Sequence, residues 1–331
     1  MLKNTSIITE QEMSEVYEAM KTPVKYGMVL YEPGADIDCP NIIRIKDGSW
    51  KMVYARHVPG QGDKEGYETW IATSSDLLHW IPEGRLLAQR DCGWDCLQAD
   101  GGLCLLNPEW GGSQNVETYD GKYWMTYIGG CLPGYEPDPL QIGLAWSSSL
   151  EPGTWVRRKD PILRQDDPDA REFEKATLYK STVIRDPLER LGYPFVMYYN
   201  AKQNGIWVER IGMAVSRDMI SWKRFGNSPV LDQGIEDRWN ISGDPQIIRY
   251  KGLWVMHYFV GIDNRAYDTF ACSRDLINWT KWQGPATVEP SEPIDRIFAH
   301  KPYVLKYNGK VYHFYCAVGS QGRGIAVALS E

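Results

Sequence analysis

Pro245-Gln246-Ile247-Ile248-Arg249-Tyr250 runs through a Lys251-Gly252 turn into Leu253-Trp254-Val255-Met256-His257-Tyr258. An alternating apolar run, a glycine turn and a second apolar run make a β-hairpin. Its second half, Gly-x-x-x-Met-x-Tyr, recurs at Gly48…Met52-x-Tyr54 and Gly121…Met125-x-Tyr127. Gly192…Met197-x-Tyr199 carries one extra residue, and Gly309…His313-x-Tyr315 replaces Met by His. A second pattern, Ser-x-Asp-x-x-x-Trp, follows the hairpin at Ser74/Asp76/Trp80, Ser216/Asp218/Trp222 and Ser273/Asp275/Trp279, with a variant from Ser147 to Trp155. Each lies between an apolar strand and, in most copies, a short Leu/Val strand such as Pro229-Val230-Leu231. Four-stranded antiparallel units repeated five times predict an all-β, five-bladed β-propeller.

The predicted blades cover residues 36–90, 95–165, 172–233, 240–290 and 298–331, all within one domain spanning 1–331. The fifth stops after three strands. Beyond a helix-like stretch from Glu10 to Met20, Lys25-Tyr26-Gly27-Met28-Val29-Leu30 reads like a fourth strand. Residues 24–31 are therefore expected to complete the last blade and cover its free edge. The repeated Met, Tyr and Trp positions read as core, and the Ser and Asp as turn-forming groups.

The first strand of each propeller blade lines the axis. Anchoring those strands on Pro40, Gly102, Ala176, Pro245 and Pro302 puts Asp38, Asp100, Glu174, Gly243 and His300 two residues upstream. Three carboxylates would then share one small volume. Like charges held together raise one another's pKa, and one ionised plus one protonated carboxyl is what glycoside hydrolysis needs. Asp95 and Glu117 are alternatives to Asp100, and Asp36 to Asp38.

Over its whole length the sequence resembles the five-bladed glycosidases of glycoside hydrolase family 43 and related propeller families. The resemblance rests most on Glu174-Lys175-Ala176-Thr177-Leu178-Tyr179-Lys180, similar to that family's acid-bearing segment, while Asp38-Cys39-Pro40 departs from its adjacent Asp-Pro pair. It implies Asp38 as general base, Glu174 as general acid and Asp100 as the residue that orients the acid. It also implies a blade-five His beside a water-coordinated cation, a place His300 fits. A structural Ca at the axis becomes possible, with no cofactor required for the chemistry. In a neighbouring propeller family such a His is the acid, so His300 competes with Glu174. Arg185-Asp186-Pro187 resembles an invertase-type signature but follows Glu174 and reads as a hairpin loop.

Channel-facing loops offer Trp94 and Trp239 as sugar platforms, Arg171 and Arg296 for hydroxyls or a carboxylate, and Asp95, Asp244 and His300 as further substrate contacts. The expectation is an exo-acting, inverting glycosidase working on a terminal sugar of a plant or algal polysaccharide fragment. A non-catalytic carbohydrate-binding propeller and a glycoside phosphorylase are the alternatives. The phosphorylase would need more cations at the axis than Lys175, Lys301 and the two Arg.

Composition agrees with a carbohydrate partner. The 331 residues include 14 Trp and 20 Tyr against 7 Phe, which suits β structure and flat ligands. A net charge of −7 speaks against nucleic acid or an anionic membrane as partner, and no apolar run approaches a membrane span. Met1–Ser6 lacks the apolar core of a signal peptide, and the seven Cys show no C-x-x-C pair. These features point to free thiols and a cytoplasmic protein.

Overall fold

A computed structural model describes residues 7–331, which are almost entirely β with one α-helix. Met1–Ser6, read above for a leader, lies outside the described residues. The helix α1 (Glu10–Met20) opens on a capping box. The Thr9 hydroxyl accepts from the Glu12 amide, and the Glu12 carboxylate accepts from the Thr9 amide. Its buried face of Met13, Val16 and Met20 packs on Ile248, Leu253, Val255 and Phe270.

The strands fall into antiparallel runs. The first is β2 (Asp36–Arg44), β3 (Trp50–His57), β4 (Tyr67–Ser74) and β5 (Ile81–Leu87). The second is β6 (Gln98–Leu103), β7 (Tyr123–Gly130), β8 (Gln141–Ser147) and β9 (Val156–Arg157). The third is β10 (Thr177–Arg185), β11 (Phe195–Lys202), β12 (Val208–Ser216) and β13 (Trp222–Arg224). Next come β14 (Asn240–Tyr250), β15 (Leu253–Ile262), β16 (Arg265–Ser273) and β17 (Thr280–Lys281). The last run holds β18 (Phe298–Tyr307), β19 (Lys310–Gly319) and β20 (Gly322–Leu329), completed by β1 (Val24–Leu30) from the other end of the sequence.

Short parallel pairings, β12 with β14 and β16 with β18, fuse the last three runs into one sheet. Across the remaining boundaries β4 packs on β6, β10 on β7 and β8, and β18 and β20 on β2, so the last run returns to the first. The β1–β20 pairing runs from Val24↔Leu329 to Leu30↔Ile325, as expected for a closing strand.

The repeated residues do structural work. Met52, Met125, Met197 and Met256 and their partner tyrosines are buried between runs. In the turns, the Ser74 hydroxyl accepts from the Leu77 amide and Asp76 from the Leu78 and His79 amides; Ser273/Asp275 repeat the pattern, and in the third run Ser216 accepts from the Asp218 amide and Asp218 from those of Ile220 and Ser221. Asp186 is a buried loop acceptor for the Leu188 and Arg190 amides, as its hairpin reading requires. The free-thiol expectation is corrected: Cys96 and Cys131 are joined by a disulfide.

What aims residues at the axis is a bulge near the start of most inner strands. Register shifts occur at Asp38/Asn41, Leu178/Ser181, Gly243/Gln246 and His300/Tyr303. Cys39, Asp244 and Lys301, each preceding a proline, take left-handed φ of 53°, 49° and 63° inside their bulges. An extra residue on one strand re-aims side chains there. These shifts align Lys180, not Ala176, with Pro40, Pro245 and Pro302. The sequence alignment of the third run was four residues early, and Glu174 does not occupy the inner-strand position.

Candidate active site

A cavity of about 230 Å³ opens at the axis. Trp207, Trp239, Tyr135, Tyr179, Phe259 and Phe298 give it aromatic walls. Its polar groups include Glu136, Glu209, Asp244, Asn200 and His300, with the cations Lys180, Lys301 and Arg323.

Of the predicted catalytic acids, none lines this cavity. Asp38 is fully buried beneath it and accepts from Tyr135 Oη (3.0 Å), Lys301 Nζ (2.9 Å) and Arg323 Nη1 (2.8 Å) on one carboxylate oxygen. Burial pushes this carboxyl up, but the Lys301 and Arg323 charges prevail and hold it well below its ordinary range. It is ionised, as a base must be, yet it does not line the cavity, and three donors share one of its oxygens. Asp100 does not orient Glu174. It pairs with Lys180 through one oxygen, and its other oxygen has no protein partner.

Glu174 is corrected most plainly. It ends a short 3₁₀ turn (Glu172–Glu174) and is fully buried between Arg171 and Arg224, with Tyr199 donating to it at 2.8 Å. Burial raises its pKa, but the arginines outweigh burial and the net shift is downward. A carboxylate held by two guanidinium groups is a structural anion and has no proton to give near neutrality.

Among the expected substrate contacts, Trp239, Asp244 and His300 reach the cavity. Trp94 instead stacks on Tyr127 and donates to the Lys159 carbonyl. Asp95 is buried among Arg90, Arg157 and the Tyr127 hydroxyl. Arg171 is committed to Glu174, and Arg296 is exposed outside the cavity. The lesser candidates are also placed elsewhere: Asp36 faces His57, and Glu117 faces Arg185.

His300 Nδ1 lies 3.1 Å from the Cys316 carbonyl, to which it can donate. Burial, reinforced by Arg323, pushes its pKa down to about 3, so it is neutral and cannot supply a proton as an acid. Among the described residues no group of three or more His, Cys, Asp or Glu side chains is placed to hold a metal directly, and the cations at the axis are side chains: Lys180 on Asp100, and Lys301 and Arg323 on Asp38.

Three carboxyls face the cavity: Asp244, which burial raises against the pull of Lys301 and Lys180, and the two glutamates Glu136 and Glu209. Glu209 stands at the start of β12, where Asn200 Nδ2 (2.8 Å) and Trp207 Nε1 (2.6 Å) each donate to one of its oxygens. Burial raises it to about 7, partly opposed by those two hydrogen bonds and assisted by the charge of Glu136. Glu136 lies on the β7–β8 connection, with left-handed φ (47°) and Lys301 Nζ 3.6 Å away. Burial raises it to about 7 against the pull of Lys301, with Asp38, Asp100 and Asp244 adding to the rise. Two carboxyls with raised proton affinity in one cavity can divide into an acid and an ionised partner.

Glu209 could have been found from the repeats. Seven residues before the turn serines Ser74, Ser147, Ser216 and Ser273, and before Ser330 after the last strand, stand Tyr67, Leu140, Glu209, Ala266 and Arg323. The last three line the cavity. Glu136 had a weaker signal, the Pro/Gly-rich stretch 131–140 standing where a tight hairpin turn would serve.

Comparison with solved structures defines the class. The structure of a complex of BT0996 named for RGII is 44% identical over 98% of this sequence and 96% of its own, with a TM-score of 0.93. A structure named "Glycoside hydrolase" is 43% identical at the same coverage and TM-score. A thermostable family-43 glycoside hydrolase, 18% identical over 94% of this sequence and 91% of its own, shares the fold at TM-score 0.64. No family model and no curated protein matched. The protein belongs to the propeller glycoside hydrolases, and it is a glycosidase.

Proposed function

We propose that this glycosidase is exo-acting and inverting, and that it releases a terminal sugar from a plant or algal polysaccharide fragment. The observation that carries the reading is the pairing of Glu136 and Glu209, two buried carboxyls of raised pKa in one aromatic-walled cavity. Glu209 is the general acid: its neighbours are an amide and an indole rather than a paired cation. Glu136, with the Lys301 ammonium near, is the ionised partner that activates water. Asp38 and Asp100 hold Lys301, Arg323 and Lys180 in place.

A cavity smaller than the roughly 300–1,000 Å³ of ordinary ligand pockets suits one sugar ring at the end of a glycan. The 44%-identical neighbour, whose complex is named for RGII, supports a carbohydrate of that kind as substrate. Five blades closed in one domain over 1–331 is the matching architecture, supported by the four-strand runs and the return of the last run onto the first. The cytoplasmic reading loses its thiol argument with the Cys96–Cys131 bridge.

The test is a screen of nitrophenyl glycosides and oligosaccharides with wild type and three variants side by side. Glu209→Gln should lower oligosaccharide turnover by about 10²–10⁴-fold and aryl glycoside turnover much less, because nitrophenolate leaves without a proton. Glu136→Gln should abolish both. If Glu174→Gln shows the leaving-group dependence instead, the acid has been misassigned.

Inversion requires room for a water between the two carboxyls, so their separation decides it. Inverting pairs stand about 6.5–9.5 Å apart and retaining pairs about 5–5.5 Å. Proton NMR of the first-formed anomer should show the configuration opposite to that of the substrate. A retained anomer would make Glu136 a nucleophile.

A further inference from the structure

Trp207 is half exposed, at 50% of its surface, although it belongs to the cavity wall. It sits on the turn joining β11 to β12, two residues before Glu209. Its indole N–H donates to Glu209 Oε1 at 2.6 Å. Lys202 Nζ lies 4.3 Å from the ring centroid and is itself anchored 2.5 Å from Asp138 Oδ2. The ring is thus pinned by its edge and by the Lys202 ammonium, and it still presents apolar surface to solvent at the mouth. An exposed aromatic held rigid beside a site is a stacking surface prepared in advance.

The chemistry says what would stack there. A general acid must reach the glycosidic oxygen, which is bonded to the released sugar on one side and to the first leaving-group sugar on the other. Whatever touches the acid's carboxyl from the mouth therefore touches the leaving group. Resting on the assignment of Glu209 as acid, we propose that Trp207 is the leaving-group platform of this glycosidase and, through its N–H, the residue that positions and tunes that acid. Donation of the indole N–H favours the ionised form of Glu209. The other groups facing Glu209 are Glu136 from the β7–β8 connection, Tyr179 on β10 and Lys202 on β11, with Asp138 and Arg210 close by. Of these, Lys202 rests on the Trp207 ring, so Trp207→Phe, which keeps a ring beneath it, is the cleaner test of the N–H, and Trp207→Ala also frees Lys202.

Three probes separate the two roles, all built on the sugar that wild type releases. A methyl glycoside needs the acid but offers no ring to stack. A nitrophenyl glycoside offers a ring but needs no acid. An oligosaccharide needs both. Trp207→Phe keeps a platform and loses the donor, so the basic limb of kcat/KM for the methyl glycoside should move up by about half a pH unit or more. Its KM for the nitrophenyl glycoside should change less than threefold. Trp207→Ala should show the same limb shift together with a roughly tenfold rise in KM for the nitrophenyl glycoside and the oligosaccharide. An unmoved limb in both variants, or an oligosaccharide KM within twofold of wild type in Trp207→Ala, would overturn the proposal. Failure of the underlying assignment looks different: Glu209→Gln would then hydrolyse the methyl glycoside at the wild-type rate.

Discussion

Glu209 and Glu174 are both buried glutamates in the third run, and the groups around them send them opposite ways. Two guanidinium groups hold Glu174 ionised, whereas an amide and an indole leave burial to dominate at Glu209. This difference can be read out in stability. The folded-state pKa of Glu209 is raised from 4.5 to about 7, so its favourable contribution is complete below the unfolded value and is lost as pH rises to 7. Above pH 7 the wild type carries the full cost of a buried carboxylate, and glutamine carries none. Glu209→Gln should therefore be more stable than wild type at pH 8, by up to about 3 kcal/mol, with the gap shrinking towards pH 5. Urea melts at the two pH values measure this, and an equal gap at both would contradict the assigned shift. The motif around Glu174 was legible in the sequence; its ion pairs were not, because Arg224 comes from β13, fifty positions further along.

Among the elements, hairpins and turns were read more securely than the inner strands. Hydrophobic alternation and the Gly and Ser/Asp punctuation act locally, so the repeats located β3, β7, β11, β15 and β19 from sequence alone. A bulge is invisible to that kind of reading. In the first, fourth and fifth runs a proline marks it; in the third, Tyr179-Lys180 bulges without one, and the alignment slipped by four residues onto Glu174. The proline rule picked His300 and, in the fourth run, Gly243; Asp244, next to it, was read from a channel-facing loop, and both His300 and Asp244 line the cavity. The cavity also takes residues from the starts of third strands and from the β7–β8 connection, places the inner-strand rule does not reach. The turns themselves should behave as structure only. Asp275 satisfies the amides of Ile277 and Asn278, so Asp275→Ala should cost about 1 kcal/mol in urea denaturation and leave KM unchanged. A changed KM would mean that the turn communicates with the cavity.

At the scale of the whole molecule, the fold depends on a strand contributed from far away in sequence. β1 supplies the outer neighbour of β20 along Val24–Leu30, and without it β20 would present an unpaired edge. The strand also brings charge to a buried acid. Lys25 pairs with Asp295, which is fully buried and otherwise accepts from the Ser291 and Glu292 amides and the Tyr315 hydroxyl. Removing β1 thus opens an edge and strips a buried carboxylate of its cation, and breaking a buried pair from one side costs about 3–5 kcal/mol. Helix α1 contributes differently, by covering apolar surface on the fourth run. Two truncations separate the contributions. Deleting residues 1–21 removes the helix and should lower the melting temperature while leaving a soluble, active enzyme. Deleting residues 1–30 also removes β1 and should yield aggregated protein, or protein that melts far lower and has lost activity, because Arg323, which lines the cavity and holds Asp38, stands on β20, the strand that β1 supports. Lys25→Met in the full-length protein keeps the edge paired and removes only the charge, so its loss of stability should fall between wild type and the longer deletion. If the 1–30 deletion melts within a few degrees of the 1–21 deletion, the last run does not depend on β1.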